Sequence, residues 1–269
     1  MMQQLSPRQN EIVTLARSSG RVTVEDLAAR FEVTPQTIRR DLNEICESRL
    51  LLRTHGGAVI SSSSSSSVEN LAYEARRLIA ADAKRAIGAA AAALIPNKSS
   101  LFINVGTTTE EVAAELVNHE NLLVITNNLN VAMTLYRRPT IDVIVAGGPV
   151  RRSDGAVIGG AAVDLIRQFK VDNAVIGASA IDVDGTLLDY DALEVNVSRA
   201  IIENARRVLL VCDSMKLERA APVKIAHMSQ IDAFVTDRLE SPALRQVCAL
   251  HHVQVIEAPG KGLADGAET

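Results

Sequence analysis

A glycine followed by three threonines, at residues 106–109, has the composition of a loop that binds an anion. The four residues follow an apolar run, 101–105, and precede a stretch of helical character, 110–118. Glycine lets the backbone approach a ligand, threonine hydroxyls donate hydrogen bonds, and the first amides of a helix carry partial positive charge. This pattern predicts a phosphate site, although it also fits a simple strand-to-helix turn with a hydroxyl cap.

Similar loops follow other predicted strands, at residues 126–128, 147–148, 177–179 and 213–216. In open parallel sheets, ligands bind beyond the carboxyl ends of the strands, so we expect these loops to meet at one edge. Each loop alone also fits a structural role, such as capping or a tight turn. Their shared position predicts a small-ligand site with contacts from Gly106, Thr107, Thr108, Thr109, Asn127, Asn128, Gly147, Gly177, Ser179, Asp182, Asp184 and Lys216.

The elements that must hold these loops follow from the apolar pattern. Seven strand-like runs alternate with helical stretches, and a largely helical stretch at 69–94 precedes them. Continuous apolar strands of this kind are typical of a parallel sheet covered on both faces. Only 3% of the residues are aromatic, so small aliphatic side chains must fill the core. We predict an α/β, Rossmann-like domain with strands at 101–105, 122–126, 141–146, 173–177, 208–212, 233–236 and 253–256.

The first 60 residues have a different pattern. Helices are predicted at residues 7–19, 24–31 and 35–48, and a hairpin at 50–60 has paired glycines that permit a tight turn. Thr34 is a good N-cap for the third helix. Helix, short turn, helix and hairpin in this order predict a winged helix-turn-helix domain.

The third predicted helix has one apolar and one polar face. Ile38, Leu42 and Ile45 fall at i, i+4 and i+7 and are expected to pack on the other two helices. The opposite face carries arginine and glutamine, which can pair with guanine and adenine in the major groove. Asp41 would be repelled by phosphate, so we expect it to pair with a nearby arginine. A packing module that binds protein stays open as the alternative. The predicted DNA contacts are Thr34, Gln36, Thr37, Arg39, Arg40, Arg53 and His55.

The two parts are separated by an unbroken serine run at residues 61–67, which is typical of a flexible tether. We predict a DNA-binding domain at 1–60, a linker at 61–67, a sensing domain at 68–260 and a tail at 261–269. The net charge is −4, with about +1 on residues 1–57. This balance favours a DNA binder that makes a few contacts over a protein that coats DNA.

Other classes of protein are disfavoured by composition. The three cysteines show no paired spacing, which argues against a disulfide framework. No apolar run approaches the ~20 residues that span a bilayer, and the N-terminus is unlike a signal peptide. We therefore expect a cytoplasmic protein that needs neither a metal nor a cofactor.

Residues 34–42, Thr-Pro-Gln-Thr-Ile-Arg-Arg-Asp-Leu, closely resemble the signature of the DeoR family of bacterial repressors, and residues 52–58 resemble its wing. The resemblance continues through nearly the whole chain. Residues 127–132, 181–185 and 200–204 are most similar to the subgroup that regulates glycerol 3-phosphate metabolism. The resemblance implies a repressor of double-stranded operator DNA with glycerol 3-phosphate as its effector. We expect a homodimer or homotetramer, because a single winged domain reads too few bases for genomic specificity.

A second resemblance is to ribose-5-phosphate isomerase, through residues 84–88, 106–109 and 213–216. In that enzyme the matching residues hold the substrate phosphate, which implies that Lys84, Thr107, Thr108 and Lys216 are phosphate contacts here. Its acidic catalytic loop is not reproduced in residues 177–182, so we expect no enzyme activity. The carboxylates left as candidate partners for sugar-type hydroxyls are Asp182, Asp184 and Glu194, although the two aspartates also fit a turn with Gly185.

Two alternatives to this function stay open. One is a repressor of the same family whose effector is a different sugar phosphate, such as a ketose phosphate. The other is a sugar-phosphate isomerase with an appended DNA-binding domain, which would need an acid/base pair of side chains.

Overall fold

The computed structural model describes residues 6–19, 21–47, 51–54, 56–60, 73–258 and 260. The chain divides into two compact units, Met1–Ala80 and Ala81–Thr269. The serine run and the tail, for which we predict a linker and a chain end, lie outside the described residues. In the described part of the chain, no helix is long and apolar enough to cross a membrane.

The N-terminal unit has the predicted helices and hairpin, and a short strand, β1, that was not predicted. The two strands of the hairpin, β2 and β3, pair antiparallel, and β1 pairs with β3 to complete a three-stranded sheet. The elements are α1 (Pro7–Ser19), β1 (Arg21–Thr23), α2 (Val24–Arg30), α3 (Pro35–Glu47), β2 (Leu51–Thr54), β3 (Gly57–Ile60) and α4 (Tyr73–Leu78).

A small apolar core holds the first three helices together. Ile12, Leu27, Ile38, Leu42 and Ile45 are each at most 2% exposed. The apolar stripe predicted on α3 is therefore buried, and the opposite face of that helix is left at the surface.

The C-terminal unit alternates strands and helices. Its helices are α5 (Ala81–Ala92), α6 (Thr107–Glu115), α7 (Leu129–Leu135), α8 (Gly160–Ile166), α9 (Ala192–Glu203) and α10 (Pro242–Leu250), with short 3-10 turns at Leu116–Asn118, Ser214–Lys216 and Met228–Gln230. Its strands are β4 (Ser100–Ile103), β5 (Leu122–Thr126), β6 (Ile141–Val145), β7 (Val171–Ile176), β8 (Ala180–Ile181), β9 (Thr186–Asp189), β10 (Ala205–Val211), β11 (Val223–His227), β12 (Ala233–Thr236) and β13 (Gln254–Glu257).

Seven of these strands form one parallel sheet in the order β13-β12-β10-β7-β4-β5-β6. Each of the seven predicted runs overlaps one of them. Apolar residues of α5, α6 and α7 pack in one core cluster and those of α8, α9 and α10 in another, so the sheet is covered on both faces. The order of connection reverses between β4 and β7, which is where ligands bind in sheets of this kind.

Three departures from the expected elements have local causes. The helical stretch 69–94 is divided, because Ala80 has φ 52° in the left-handed region and ends the run between α4 and α5. Helix α6 begins at Thr107 and not at residue 110, so the threonines form its first turn. A small antiparallel sheet, ordered β11-β9-β8, was not predicted because β8 has only two residues and β9 and β11 are not continuous apolar runs.

Candidate functional site

The exposed face of α3 carries the side chains expected to read DNA. Gln36, Arg39 and Arg40 are exposed, and Thr37 is half-buried. Arg40 is ion-paired with Glu44, one turn along the helix, at 3.2 Å between Nε and Oε1. Arg39 has no hydrogen bond or ion pair within the described residues, which leaves its guanidinium available.

Two further side chains in this region have structural partners. Thr34 caps α3, because its Oγ1 accepts the Thr37 N–H at 3.3 Å and lies 3.0 Å from the Thr37 hydroxyl. Asp41 accepts two hydrogen bonds from Arg8, at 2.7 and 3.2 Å, which confirms the expected pairing with a nearby arginine. Of the residues predicted on the wing, Arg53 lies in β2 and His55 falls outside the described residues.

The reversal between β4 and β7 brings the predicted anion loop beside the Gly177 loop. Asn104, 2% exposed, accepts the Gly177 N–H at 3.1 Å through its side-chain oxygen, and its amide nitrogen donates to Ser198 of α9 at 3.3 Å. A Cβ on Gly177 would lie 3.7 Å from the Thr109 methyl. Asn104 therefore ties two strand ends and one helix together, a role that the sequence did not indicate.

The three threonines of α6 divide into different roles. Thr109 is fully buried, and its hydroxyl donates to the carbonyl oxygens of Asn104 and Gly106 at 2.9 and 2.8 Å. The hydroxyls of Thr107 and Thr108 have no hydrogen-bond partner within the described residues. Gly106, at φ 150°, is the N-cap of the helix. Thr109 thus shapes the loop, while the hydroxyls of Thr107 and Thr108 take no part in holding it.

The loop after β5 is mostly occupied by its own structure. Asn128 caps α7 by accepting the Asn130 N–H at 2.9 Å, and its amide nitrogen donates to Glu110 at 3.1 Å. Asn127 donates to the Val157 carbonyl at 3.1 Å, and its buried side-chain oxygen has no partner within the described residues. Gly147, after β6, is exposed. The Asn127 side-chain oxygen is therefore the buried acceptor of this loop that is left for a ligand.

Two predicted cations lie at different depths. Lys84 is on α5 and is 4% exposed. Lys216 ends the 3-10 turn after β10 and is half-buried. The turn is held in place by Asp237, which accepts hydrogen bonds from the Ser214 N–H and hydroxyl at 2.6 and 2.9 Å. Lys216 is therefore positioned at the same sheet edge as the threonines.

A buried carboxylate, Asp189, lies near Lys216 and was not predicted. The Ser179 hydroxyl donates to Asp189 at 3.1 Å, and so does the Tyr190 N–H, at 2.6 Å. Burial raises the pKa of Asp189 above its ordinary value, against the opposing effect of these hydrogen bonds and of the Lys216 charge. The predicted contact Ser179 is thus already bonded to a carboxylate.

The aspartates predicted as hydroxyl partners form a turn instead. Asp182 accepts the Val183 N–H at 2.7 Å, and Asp184 accepts the Thr186 N–H at 2.8 Å. Gly185, directly after Asp184, has φ 86°, and a Cβ on it would lie 2.6 Å from the Val247 side chain. The alternative of a tight turn therefore accounts for both carboxylates.

A second cluster of charges surrounds Arg151. Of its members, only Glu194 was singled out from the sequence. The Arg151 guanidinium bonds to Asp154, Asp191 and Glu194 at 2.6 to 2.9 Å. Burial works against the Arg151 charge, but the bonds to the carboxylates outweigh it and raise the pKa. Burial and the neighbouring Asp189 charge raise the pKa of Glu194 to about 7, although Arg151 opposes the shift. The partners lie up to 43 residues apart in sequence, so no local pattern could have indicated the cluster.

Comparison with known proteins matches each of the two units to a domain of one family. A family model described as the DeoR C terminal sensor domain matches residues 79–238, and one described as a DeoR-like helix-turn-helix domain matches residues 8–64. The chain is 46% identical to the glycerol-3-phosphate regulon repressor of Escherichia coli over 92% of its length and 97% of that protein. It is also 46% identical to the repressor of the same description from Haemophilus influenzae, over 86% of its length and 89% of that protein.

Solved structures resemble the chain more distantly. Ribose 5-phosphate isomerase A from Methanocaldococcus jannaschii has a TM-score of 0.39 and 16% identity, covering 51% of this chain and 55% of that one. A likeness at this level carries no inference on function. The family models, by contrast, together match most of the chain, and the two repressors cover 92% and 86% of it. The chain belongs to the DeoR family, with a helix-turn-helix domain followed by a sensor domain.

Proposed function

We propose that this protein is a transcriptional repressor whose binding to operator DNA is controlled by a phosphorylated metabolite, glycerol 3-phosphate. The observation that carries the proposal is the 46% identity to a glycerol-3-phosphate regulon repressor over 92% of the chain. An identity of this extent includes both the α3 surface and the strand ends of the sensor domain.

The α3 surface supports the DNA-binding part of the proposal. Its apolar face is fully buried, so Gln36 and Arg39 are presented on the other side in fixed positions. In helix-turn-helix proteins, residues in the first turns of the second helix of the motif reach base edges. The operator is double-stranded DNA, and two or four copies of the chain bind it together, because one domain reads too few bases.

The sheet edge supports a phosphate-bearing effector. The first turn of α6 presents two hydroxyls that lack partners within the described residues, from Thr107 and Thr108, next to backbone N–H groups with partial positive charge. Lys216 adds a full positive charge at the same edge. Charge-assisted hydrogen bonds of this kind are about twice as strong as those between neutral groups.

The test is operator binding by the full-length protein, followed by fluorescence anisotropy, with and without candidate effectors. Glycerol 3-phosphate is expected to lower operator affinity by roughly 5–150-fold, the usual range for allosteric coupling. Glycerol, which lacks the phosphate group, and inorganic phosphate, which lacks the glycerol part, serve as matched controls. If a larger sugar phosphate lowers operator affinity and glycerol 3-phosphate does not, the proposed effector is wrong and the proposed repressor function stands.

Lys216→Ala is the matched variant for the effector half of the proposal. It should abolish the response to the effector while operator binding persists, because it removes a charge and leaves the α3 surface unchanged. Lys224→Ala, at an exposed lysine of the same unit, is the control. An unchanged calorimetric effector affinity in Lys216→Ala would contradict the assignment.

A further inference from the structure

The segment between β6 and α8, residues 146–159, is here called the strap. Its backbone follows the end of β5 and the start of α7. The Val157 N–H donates to the Asn127 carbonyl at 2.7 Å, and the Leu129 N–H donates to the Gly155 carbonyl at 3.1 Å. The Asn130 side-chain amide donates to the carbonyl oxygen of Asp154 at 2.9 Å. One side of the strap is therefore fixed to the α7 layer of the sheet.

The other side of the strap is fixed to α9 by the side chain of Arg151. Arg151 bonds to Asp191 and Glu194, in the N-cap and first turn of α9, at 2.7 and 2.6 Å. It also forms a two-pronged pair with Asp154 of the strap itself. Because α7 and α9 cover opposite faces of the sheet, the strap crosses over the carboxyl ends of the strands.

The strap is also linked, through Asn130 of α7, to the helix that carries the anion loop. The Asn130 amide nitrogen that donates to Asp154 also donates to Glu110 Oε1, at 3.0 Å. Glu110 lies in the first turn of α6, directly after Thr107, Thr108 and Thr109. The position of the strap and that of the phosphate-binding turn are thus set by shared hydrogen bonds.

We propose that Arg151 is a positioning residue for effector binding: by tying the strap to the first turn of α9, it fixes the strap over the strand ends beside Thr107 and Thr108. This inference rests on the proposed function of that site. Replacing buried ion pairs by apolar residues of similar size is often neutral for stability. Stabilisation of the fold alone is therefore a poor explanation for a cluster in which three carboxylates bind one guanidinium. Without Arg151, Asp154, Asp191 and Glu194 would repel one another and part the strap from α9.

The experiment compares Arg151→Met with Arg245→Met in the full-length protein. Arg245 is a suitable control, since one of its nitrogens donates to both carboxylate oxygens of Glu257 in the outermost strand β13, away from the strap. Without ligand, hydrogen exchange of the Gly155 and Val157 amides, both hydrogen-bonded in the wild type, should be faster in the Arg151 variant and unchanged in the control. Calorimetric affinity for glycerol 3-phosphate should fall at least tenfold, as expected when the competent arrangement is populated one tenth of the time or less.

A second variant guards against a protein that does not fold. Asp191→Asn keeps a good N-cap for α9 and removes one of the three ionic partners, so it should change exchange and affinity in the same direction but less. Wild-type affinity in both variants, with only a lowered melting temperature, would overturn the inference. Hydrogen exchange of the strap amides that is unchanged in both variants would also overturn the inference, whichever ligand binds. If the wild-type protein itself does not bind glycerol 3-phosphate, the proposed effector fails, and exchange together with binding of inorganic phosphate still decides the role of Arg151.

Discussion

Thr108 and Thr109 are adjacent on α6, and replacing each by valine should have opposite consequences. The Thr109 hydroxyl is fully buried and donates to two carbonyl oxygens at 2.8 and 2.9 Å. Valine would leave the Asn104 carbonyl without this donor. Leaving a buried acceptor unsatisfied costs about 1–3 kcal/mol. For a domain of this size, that corresponds to a melting temperature roughly 2–12 °C lower.

Thr108→Val should instead leave the melting temperature nearly unchanged, because its hydroxyl has no hydrogen bond within the described residues. It should weaken effector binding, since a hydrogen bond to a charged group contributes about 1.5–3 kcal/mol. Calorimetry and thermal unfolding of both variants separate the two roles. The reasoning is wrong if Thr109→Val melts like the wild type, or if Thr108→Val binds the effector normally but melts earlier.

Three more experiments, with five substitutions between them, test other parts of the molecule. Arg39→Ala should weaken operator binding by about 1–3 kcal/mol in gel-shift assays without changing stability. Arg40→Ala should weaken operator binding less, because Arg40 must first give up an ion pair worth ~0.3–0.5 kcal/mol before it can contact DNA. Equal losses of operator affinity in the two variants would argue against this distinction. Gly88→Ala should destabilise by about 1–3 kcal/mol in denaturant titrations, because the new Cβ would lie 2.8 Å from the Glu111 carbonyl carbon, while Gly147→Ala, with nothing within 4 Å, should be neutral. The folded wild type should lose stability as the pH rises from 4.5 to about 7, because the raised pKa of Glu194 lets the folded protein hold a proton that the unfolded chain has released. Glu194→Gln should lack this loss. Unfolding curves with the same pH dependence in both proteins would refute the prediction.

Much of the fold could be predicted because the apolar runs allow few arrangements. Residues 122–126 and 233–236 were expected as strands, and β5 and β12 have those bounds. Long periodic or continuous apolar segments are the strongest signals in a sequence. The strands β8, β9 and β11 lack such a signal, because β8 has only two residues and the sequences of β9, Thr-Leu-Leu-Asp, and β11, Val-Lys-Ile-Ala-His, are not continuous apolar runs.

The candidate site was harder to predict, because side-chain roles depend on neighbours that are distant in sequence. Threonine composition marked the first turn of α6, but only the position of the Asn104 carbonyl shows that Thr109 binds its own loop. Asn128 has the right residue type for a ligand contact, yet its amide is used by Glu110 and by the cap of α7. Arg151 was missed because Asp191 and Glu194 follow it 40 and 43 residues later.

The central pairing of β4 with β7 has a consequence for how the protein is made. The two strands are adjacent in the sheet but about 70 residues apart in the chain, with β5 and β6 between them. Contacts between distant segments form slowly, because the loop that joins them must first close. During synthesis the N-terminal unit leaves the ribosome first and its contacts are local. The exposed face of α3 is therefore expected to form before the strand ends of the C-terminal unit come together.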